Sequence, residues 1–233
     1  MRLDKYLADM GIGSRSFVKE IIKKGKVTVN GELIKSASVS VLESDTVFVN
    51  GEQVKYQTHE YYMLNKPADV ISATSDDNQK TVMDLFPKER RRDLFPIGRL
   101  DKDTVGLLII TNDGALAHEL LSPKKHVDKV YYVKTEGLIT EEDIAAFKNG
   151  LILKNEEKTM PAKLEIISPG EISEAYVTIK EGKYHQVKRM FAACGKKVIY
   201  LKRISMGGLL LDQTLKEGEW RELLAEELAI LKR

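Results

Sequence analysis

FPIGRLDKDTVGLLIITNDG, residues 95–114, is the stretch on which the reading of the whole chain turns. Its second half holds a continuous apolar run, Leu107, Leu108, Ile109 and Ile110. That run is far short of the ~18 residues a membrane span needs and reads as a buried strand. Asn112-Asp113-Gly114 closes it as a tight turn, and the spacing beyond predicts a helix over 115–121. Upstream, Pro96-Ile97-Gly98-Arg99-Leu100-Asp101 approaches a strand and then turns, which leaves a carboxylate in a loop between apolar segments. Taken alone, Asp101 reads equally as a structural carboxylate satisfied by its neighbours.

Outward from this stretch, alternation predicts strands at 61–64, 130–135, 163–167, 175–180 and 198–202. Helical spacing appears at 140–148, 186–194 and 225–231, with Val187, Met190, Phe191 and Cys194 forming one apolar face. Strands do not alternate regularly with long helices, so a doubly wound parallel sheet is not expected. The pattern predicts an α+β domain on a mixed, largely antiparallel sheet flanked by helices.

The first 58 residues read differently. Leu3, Tyr6, Leu7 and Met10 recur at helical spacing ahead of Gly11, and Ser14 is placed to cap a second helix that ends before Gly25. Two alternating segments follow, each turning at Asn-Gly (Asn30-Gly31 and Asn50-Gly51), the strongest short hairpin signal. Residues 1–58 therefore form a small α/β module of two helices plus hairpins, 55–60 reads as a polar linker, and 59–233 as the larger domain.

The 233 residues carry 37 basic and 35 acidic side chains, a formal charge of +2, with 42% hydrophobic and 31% charged residues. This is the composition of a soluble globular chain and argues against disorder. One cysteine, Cys194, excludes an internal disulfide framework, and the N-terminus lacks the apolar stretch of a secretory signal. A cytoplasmic, membrane-free and monomeric protein is expected. Charge is uneven along the chain. Residues 1–35 hold eight bases (Arg2, Lys5, Arg15, Lys19, Lys23, Lys24, Lys26, Lys35) against four acids, whereas 36–60 hold one base against four acids. Arg15, Lys19 and Lys23 fall at i, i+4 and i+8 on one ridge of the second helix. A solvated helix face would look the same, but the concentration of charge is that of a nucleic-acid contact surface. No dinucleotide, phosphate-loop or nucleophile-elbow motif is present, and His59, His118, His126 and His185 are too scattered to suggest a metal site.

Residues 2–35, RLDKYLADMGIGSRSFVKEIIKKGKVTVNGELIK, resemble the RNA-binding module first described in ribosomal small-subunit protein four. GRLDKDTVGLLIITNDG resembles the catalytic motif of pseudouridine synthases, with the family's aspartate at Asp101. LNKPADVIS (64–72), DKVYYV (128–133) and EGKYHQVKRMFAACG (181–195) resemble three further segments of that family, in the family's order. The resemblance puts the active-site tyrosine at Tyr131 rather than Tyr132 and the third motif's basic residue at Lys188, where sister branches often carry arginine. It implies isomerisation of uridine to pseudouridine in RNA with no cofactor and no metal. The N-terminal module, HVDK before the tyrosine strand, MPAKLEII (160–167) and HQVKRM look most like the small-subunit ribosomal RNA branch. The large-subunit branch, a catalytically silent ribosome-assembly protein and a nuclease are the rival readings.

The chemistry explains the residue types. Breaking the N–C glycosidic bond, turning the uracil and joining C5 to the same ribose carbon needs an ionised carboxylate, implied at Asp101, either as nucleophile or as base for the ribose 2′ proton. Lys188 would hold that carboxylate ionised, and Tyr131 would stack on the uracil. A uridine in folded RNA must also be extruded. Arg99, His185 and Gln186 are candidates to support the flipped nucleotide, alongside the basic residues from Arg2 to Lys26. The partner implied is small-subunit ribosomal RNA, free or in an assembly intermediate. Asp103, two residues beyond Asp101 on an extended chain, is expected to point the other way.

Overall fold

A computed structural model describes the chain except residues 43, 88–90, 92, 155 and 233. It divides into two compact units, Met1–Glu60 with Phe86–Leu94, and Tyr61–Leu85 with Phe95–Arg233.

In the first unit, α1 (Leu3–Asp9) and α2 (Arg15–Lys23) bury Leu3, Tyr6, Leu7, Val18 and Ile22. Ser14 starts α2 by accepting the Phe17 N–H at 3.2 Å. Strands β1 (Val27–Val29), β2 (Glu32–Leu33), β3 (Val47–Val49) and β4 (Glu52–Val54) form an antiparallel sheet in the order β2-β1-β3-β4. Asn30 and Asn50 sit at φ 51° and Gly31 and Gly51 at φ 86°, the left-handed pair that a two-residue hairpin turn requires. The expected linker begins later than its polarity suggests. Tyr56 lies against Tyr6 with ring centroids 5.0 Å apart, and Arg91 reaches over the Tyr56 ring and donates to the Gln57 carbonyl. Residues 86–94, highly charged and without periodicity, gave no sign that Arg91 and Leu94 are buried.

The second unit contains β5 (Tyr61–Lys66), β6 (Phe95–Pro96), β7 (Val105–Thr111), α3 (Gly114–Leu121), β8 (Lys129–Glu136) and α4 (Glu141–Asn149). It continues with β9 (Lys163–Ser168), β10 (Ile172–Ile179), α5 (Gln186–Ala193), β11 (Lys197–Met206), β12 (Leu209–Leu210), β13 (Trp220–Glu222) and α6 (Ala225–Leu231). The sheet runs β13-β5-β7-β11-β8-β10-β9, with β12 on β11 and β6 on β7. Its neighbours pair antiparallel except β7 and β11, which run parallel through Val105–Lys202 and Gly106–Arg203. The sheet is thus mixed and largely antiparallel, and the fold α+β, as the sequence predicts.

Every residue of β7 is buried, which explains its unbroken apolar run. Gly106, at φ +101°, makes the parallel pairing possible, since a Cβ there would lie 2.3 Å from the Arg203 carbonyl oxygen. Asp113 caps α3 by accepting the Leu116 N–H at 3.0 Å. One core joins Met63, Ile97, Leu107 and Ile109 to Leu116 and Leu120 of α3 and to Leu231 of α6. Phe147 of α4 meets Phe191 of α5 at 4.9 Å between ring centroids. No helix among the described residues is long and apolar enough to cross a membrane.

Candidate active site

Because β7 and β11 are parallel, the segments that lead into them arrive at the same end of the sheet. The turn 101–104 precedes β7, and α5 precedes β11. This brings Lys188, in the first turn of α5, to the turn that carries Asp101, with Nζ 3.0 Å from Asp101 Oδ2. Each side chain is about one fifth to one quarter exposed, at 22% and 24%, so the pair is partly desolvated but open to a ligand.

The same ammonium lies 2.5 Å from Asp103 Oδ1. The expectation that Asp103 points away is therefore wrong. Residues 101–104 are not extended. They close a turn in which the Thr104 N–H donates to the Asp101 carbonyl at 3.1 Å, and this carries both carboxylates to one side. Burial opposes the Lys188 charge, but the hydrogen bonds it donates to Asp103 and Asp101 outweigh it and hold the ammonium above the ordinary lysine range. Burial likewise opposes the Asp103 charge, and the bond from Lys188 overcomes it and draws that carboxyl below its usual range.

The turn is held from beneath by the segment 64–72. Lys66 is fully buried, and its Nζ donates to the carbonyls of Pro67 (2.9 Å), Lys102 (3.2 Å) and Thr104 (2.9 Å). The Asp69 N–H also donates to the Lys102 carbonyl, at 2.9 Å. Ser72 Oγ both accepts from the Leu100 N–H and donates to the Leu100 carbonyl, each at 3.0 Å. Burial pushes the Lys66 ammonium down to about 8, although Asp103 and Asp101 work against it. Nothing in the spacing of residues 64–72 marks Lys66 or Ser72 for this role.

Tyr131 closes the cleft. Burial alternates along β8, so Tyr131 faces the same cleft as Asp101 while Tyr132 faces the other side, where its hydroxyl donates to Glu174. Tyr131 is 7% exposed, and its hydroxyl makes no hydrogen bond among the described residues. Arg99, Asp101, Thr104, Tyr131, His185 and Gln186 line this cleft. His185, at φ 48° before α5, holds Nε2 3.6 Å from Asp101 Oδ1. The exposed ring of Tyr184 stacks on His185 at 3.8 Å and 15°. Tyr184 was not singled out by sequence, because nothing in its spacing marks the stack.

Gln186 is placed differently from the other candidates. It is buried, its amide nitrogen donates to Glu181 at 2.7 Å, and its amide oxygen accepts from the Lys183 N–H at 3.0 Å. Its polar atoms brace the loop 181–185 rather than face outward. Arg99 is exposed at the cleft and makes no hydrogen bond or ion pair among the described residues.

In the first unit, Arg2, Lys5, Arg15 and Lys19 surround one surface depression. Arg2 is held by Asp4 through bonds of 3.0 and 2.9 Å, and Lys24 by Glu20 at 2.6 Å. Lys5, Arg15, Lys19, Lys23 and Lys26 are exposed and have no ion pair among the described residues.

The family model described as RNA pseudouridylate synthase matches residues 60–193, and that described as S4 domain matches residues 1–47. The chain belongs to the RNA pseudouridylate synthases. The synthase is 51% identical over 235 residues to an uncharacterised RNA pseudouridine synthase of Bacillus subtilis, covering 99% of this chain and 98% of that one. It is 44% identical to ribosomal small subunit pseudouridine synthase A of Vibrio parahaemolyticus and 40% identical to that of Haemophilus influenzae, covering 98% of each chain in both cases. A solved pseudouridylate synthase, 39% identical, superposes over 99% of both chains with a TM-score of 0.70. This synthase is therefore an RNA-modifying isomerase with an S4 domain ahead of its catalytic domain.

Proposed function

We propose that this synthase converts a specific uridine of small-subunit ribosomal RNA to pseudouridine, with Asp101 as the reacting carboxylate. The observation that carries the assignment is the Asp101–Lys188 pair, 3.0 Å apart, with Asp101 on the wall of the cleft that Tyr131 also lines. The ammonium meets one oxygen of this carboxylate, and the side chain remains 24% exposed and so within reach of a ribose. The exposed aromatic and cationic groups at the rim suit a nucleotide taken out of its stack. Asp101 either attacks C1′ or removes the 2′ proton, and in both routes the glycosidic electron pair leaves on uracil N1. Tyr131 then retains the detached base while it turns, and C5 bonds to C1′. The choice of small-subunit RNA rests on full-length relatives that carry that substrate in their names. The exposed lysines and arginines of residues 1–26 would supply affinity for the RNA backbone.

The test is chemical mapping of pseudouridine in both ribosomal RNAs from cells that lack the protein, complemented with wild type or Asp101→Asn. One small-subunit site lost, and restored by wild type alone, is the expected result. A large-subunit site lost would overturn the substrate and keep the chemistry. Restoration by Asp101→Asn would overturn the role of Asp101.

A further inference from the structure

Lys188 serves two carboxylates, and they differ in setting. Asp101 is 24% exposed and faces the cleft, whereas Asp103 is 72% exposed and nearer to Nζ, at 2.5 Å against 3.0 Å. One aspartate would suffice to neutralise one ammonium. We propose that Asp103 is a positioning residue that acts as the standing counter-ion of Lys188, keeping it charged and in place while Asp101 is neutral. The proposal rests on Asp101 being the reacting carboxylate.

The electron accounting of either route creates the need. If Asp101 attacks, its oxygen bonds to C1′, the C1′–N1 bond breaks, and the electron pair departs with uracil, leaving a neutral ester and a uracil anion. If Asp101 takes the 2′ proton, the C2′–H electrons form the C1′–C2′ double bond, N1 again leaves with its pair, and Asp101 becomes a neutral acid. Either way the negative charge moves from Asp101 to the base in mid-reaction. A part-buried ammonium that loses its counter-ion loses its proton more easily or swings away. Lys188 must still be cationic when C5 bonds to C1′, because at that step the charge returns to Asp101, or the proton returns from Asp101 to C2′. C5 later loses its proton and N1 gains one, so the product is an isomer of the substrate.

The remaining groups around Lys188 do not substitute for Asp103. His185 sits beside Asp101 at 3.6 Å, and an imidazole has no negative charge to offer Lys188. Lys66 lies beneath the turn with its ammonium turned to three carbonyls, and it also repels a second cation. Of the neighbours of Lys188 on α5, Gln186 and Val187 are neutral, and Arg189 is a further cation, paired with Glu157 at 2.6 Å. Asp103 is thus the carboxylate in contact with Nζ that the reaction leaves unchanged. Its hydrogen bond to Lys188 is also what most strongly opposes the burial of that ammonium.

Two measurements test this, one independent of turnover. Asp101→Asn mimics the neutral intermediate, so the Lys188 ammonium can be titrated by NMR of labelled lysine Cε in Asp101→Asn and in Asp101→Asn/Asp103→Asn. Lys188 should titrate at or above the ordinary lysine range in the first and about one pH unit or more lower in the second. Identical titrations overturn the proposal. In turnover, with tritium release from RNA labelled at uridine C5, Asp103→Asn should lower kcat about tenfold and leave KM unchanged. Its alkaline limb should move to lower pH, and Asp103→Glu should restore most of both. An unchanged pH profile, or a loss confined to KM, also overturns it. If wild type itself releases no tritium, the assigned reaction fails, and the NMR titration still decides whether Asp103 holds the charge of Lys188.

Discussion

Lys66 donates to the carbonyl of Thr104 at 2.9 Å from a fully buried position, so a cation with no carboxylate in contact among the described residues supports the turn that carries Asp101. Lys66→Met removes that support and orphans the carbonyls of Pro67 and Thr104, while Lys102 keeps the Asp69 N–H. The loss should destabilise by about 1–3 kcal/mol, partly offset because a desolvated charge also goes. Turnover should fall at constant KM, which steady-state kinetics beside urea melts would measure.

The same lysine gives opposite pH signatures for stability and rate. Its folded pKa of about 8 lies below the unfolded value of ~10.4, so between these the unfolded chain binds more protons. Stability attributable to Lys66 should therefore rise as pH climbs from about 8 toward 10, and below 8 its burial cost is fully present. The neutral amine has two N–H bonds for three carbonyls, so turnover should decline over the same interval. Urea midpoints and rates of wild type and Lys66→Met across pH 7–10 would test both signs.

Ser72→Ala leaves the N–H and C=O of Leu100, the residue before Asp101, without their hydroxyl partner. A cost of about 1–3 kcal/mol is expected, with a drop in kcat larger than any change in KM. Ser72→Thr should recover part of both, as thermal melts and tritium-release kinetics would report.

Tyr131 and Tyr132 are adjacent and face opposite sides of the sheet, so they should separate cleanly. Tyr131→Ala should abolish turnover and Tyr131→Phe should retain base retention through the ring with a reduced rate. Tyr132→Phe, which loses only the bond to Glu174, should cost at most about 1 kcal/mol of stability and spare kcat.

On the S4 domain, Lys19→Glu/Lys23→Glu should raise KM for the RNA substrate without lowering the melting temperature. Each lysine that contacts a phosphate should reduce the salt slope of binding by about one. Titration at several salt concentrations measures this, and unchanged affinity would exclude the ridge as a contact surface.

Acid should loosen α4. Asp143 caps that helix through the Thr140 N–H at 2.8 Å and pairs with Lys196 at 2.7 Å, with side chains only 8% and 11% exposed. Burial pushes its carboxyl up, but the bond from Lys196 and that from Thr140 more than reverse this, so it lies below the usual range. The stabilisation is present above the unfolded value of ~3.9 and is lost as pH falls through the lower folded value. Asp143→Ala should cost about 3 kcal/mol at neutral pH and flatten the acid limb of the stability curve.

Much of this was legible in sequence because local physics dictated it. The Asn-Gly turns, the Ser14 cap and the apolar run of β7 each follow from one residue type in one place. The face of Tyr131 came from resemblance, and the alternating burial of β8 agrees with it. What stayed hidden was non-local. Lys66 lies beyond the expected strand 61–64 and had no role assigned, because two of the three carbonyls it serves lie 36 and 38 residues away. Asp103 was misjudged because period-two reasoning holds only for extended backbone, and 101–104 is a turn. Gln186 was a candidate to support the flipped nucleotide, and its burial depends on Glu181, five residues earlier, accepting from its amide.

The parallel pairing of β7 with β11 has a consequence for how the molecule is made. Arg203 bonds the Leu107 carbonyl across 96 residues, and Lys188 reaches Asp103 across 85. Loops of that span close late, after local hairpins have formed. On a growing chain, the turn with Asp101 must therefore wait for nearly the whole polypeptide before it meets its ammonium. The first unit, whose last residues are 86–94, has its two helices and hairpins in hand long before. A molecule still being synthesised can thus hold RNA before it can alter it.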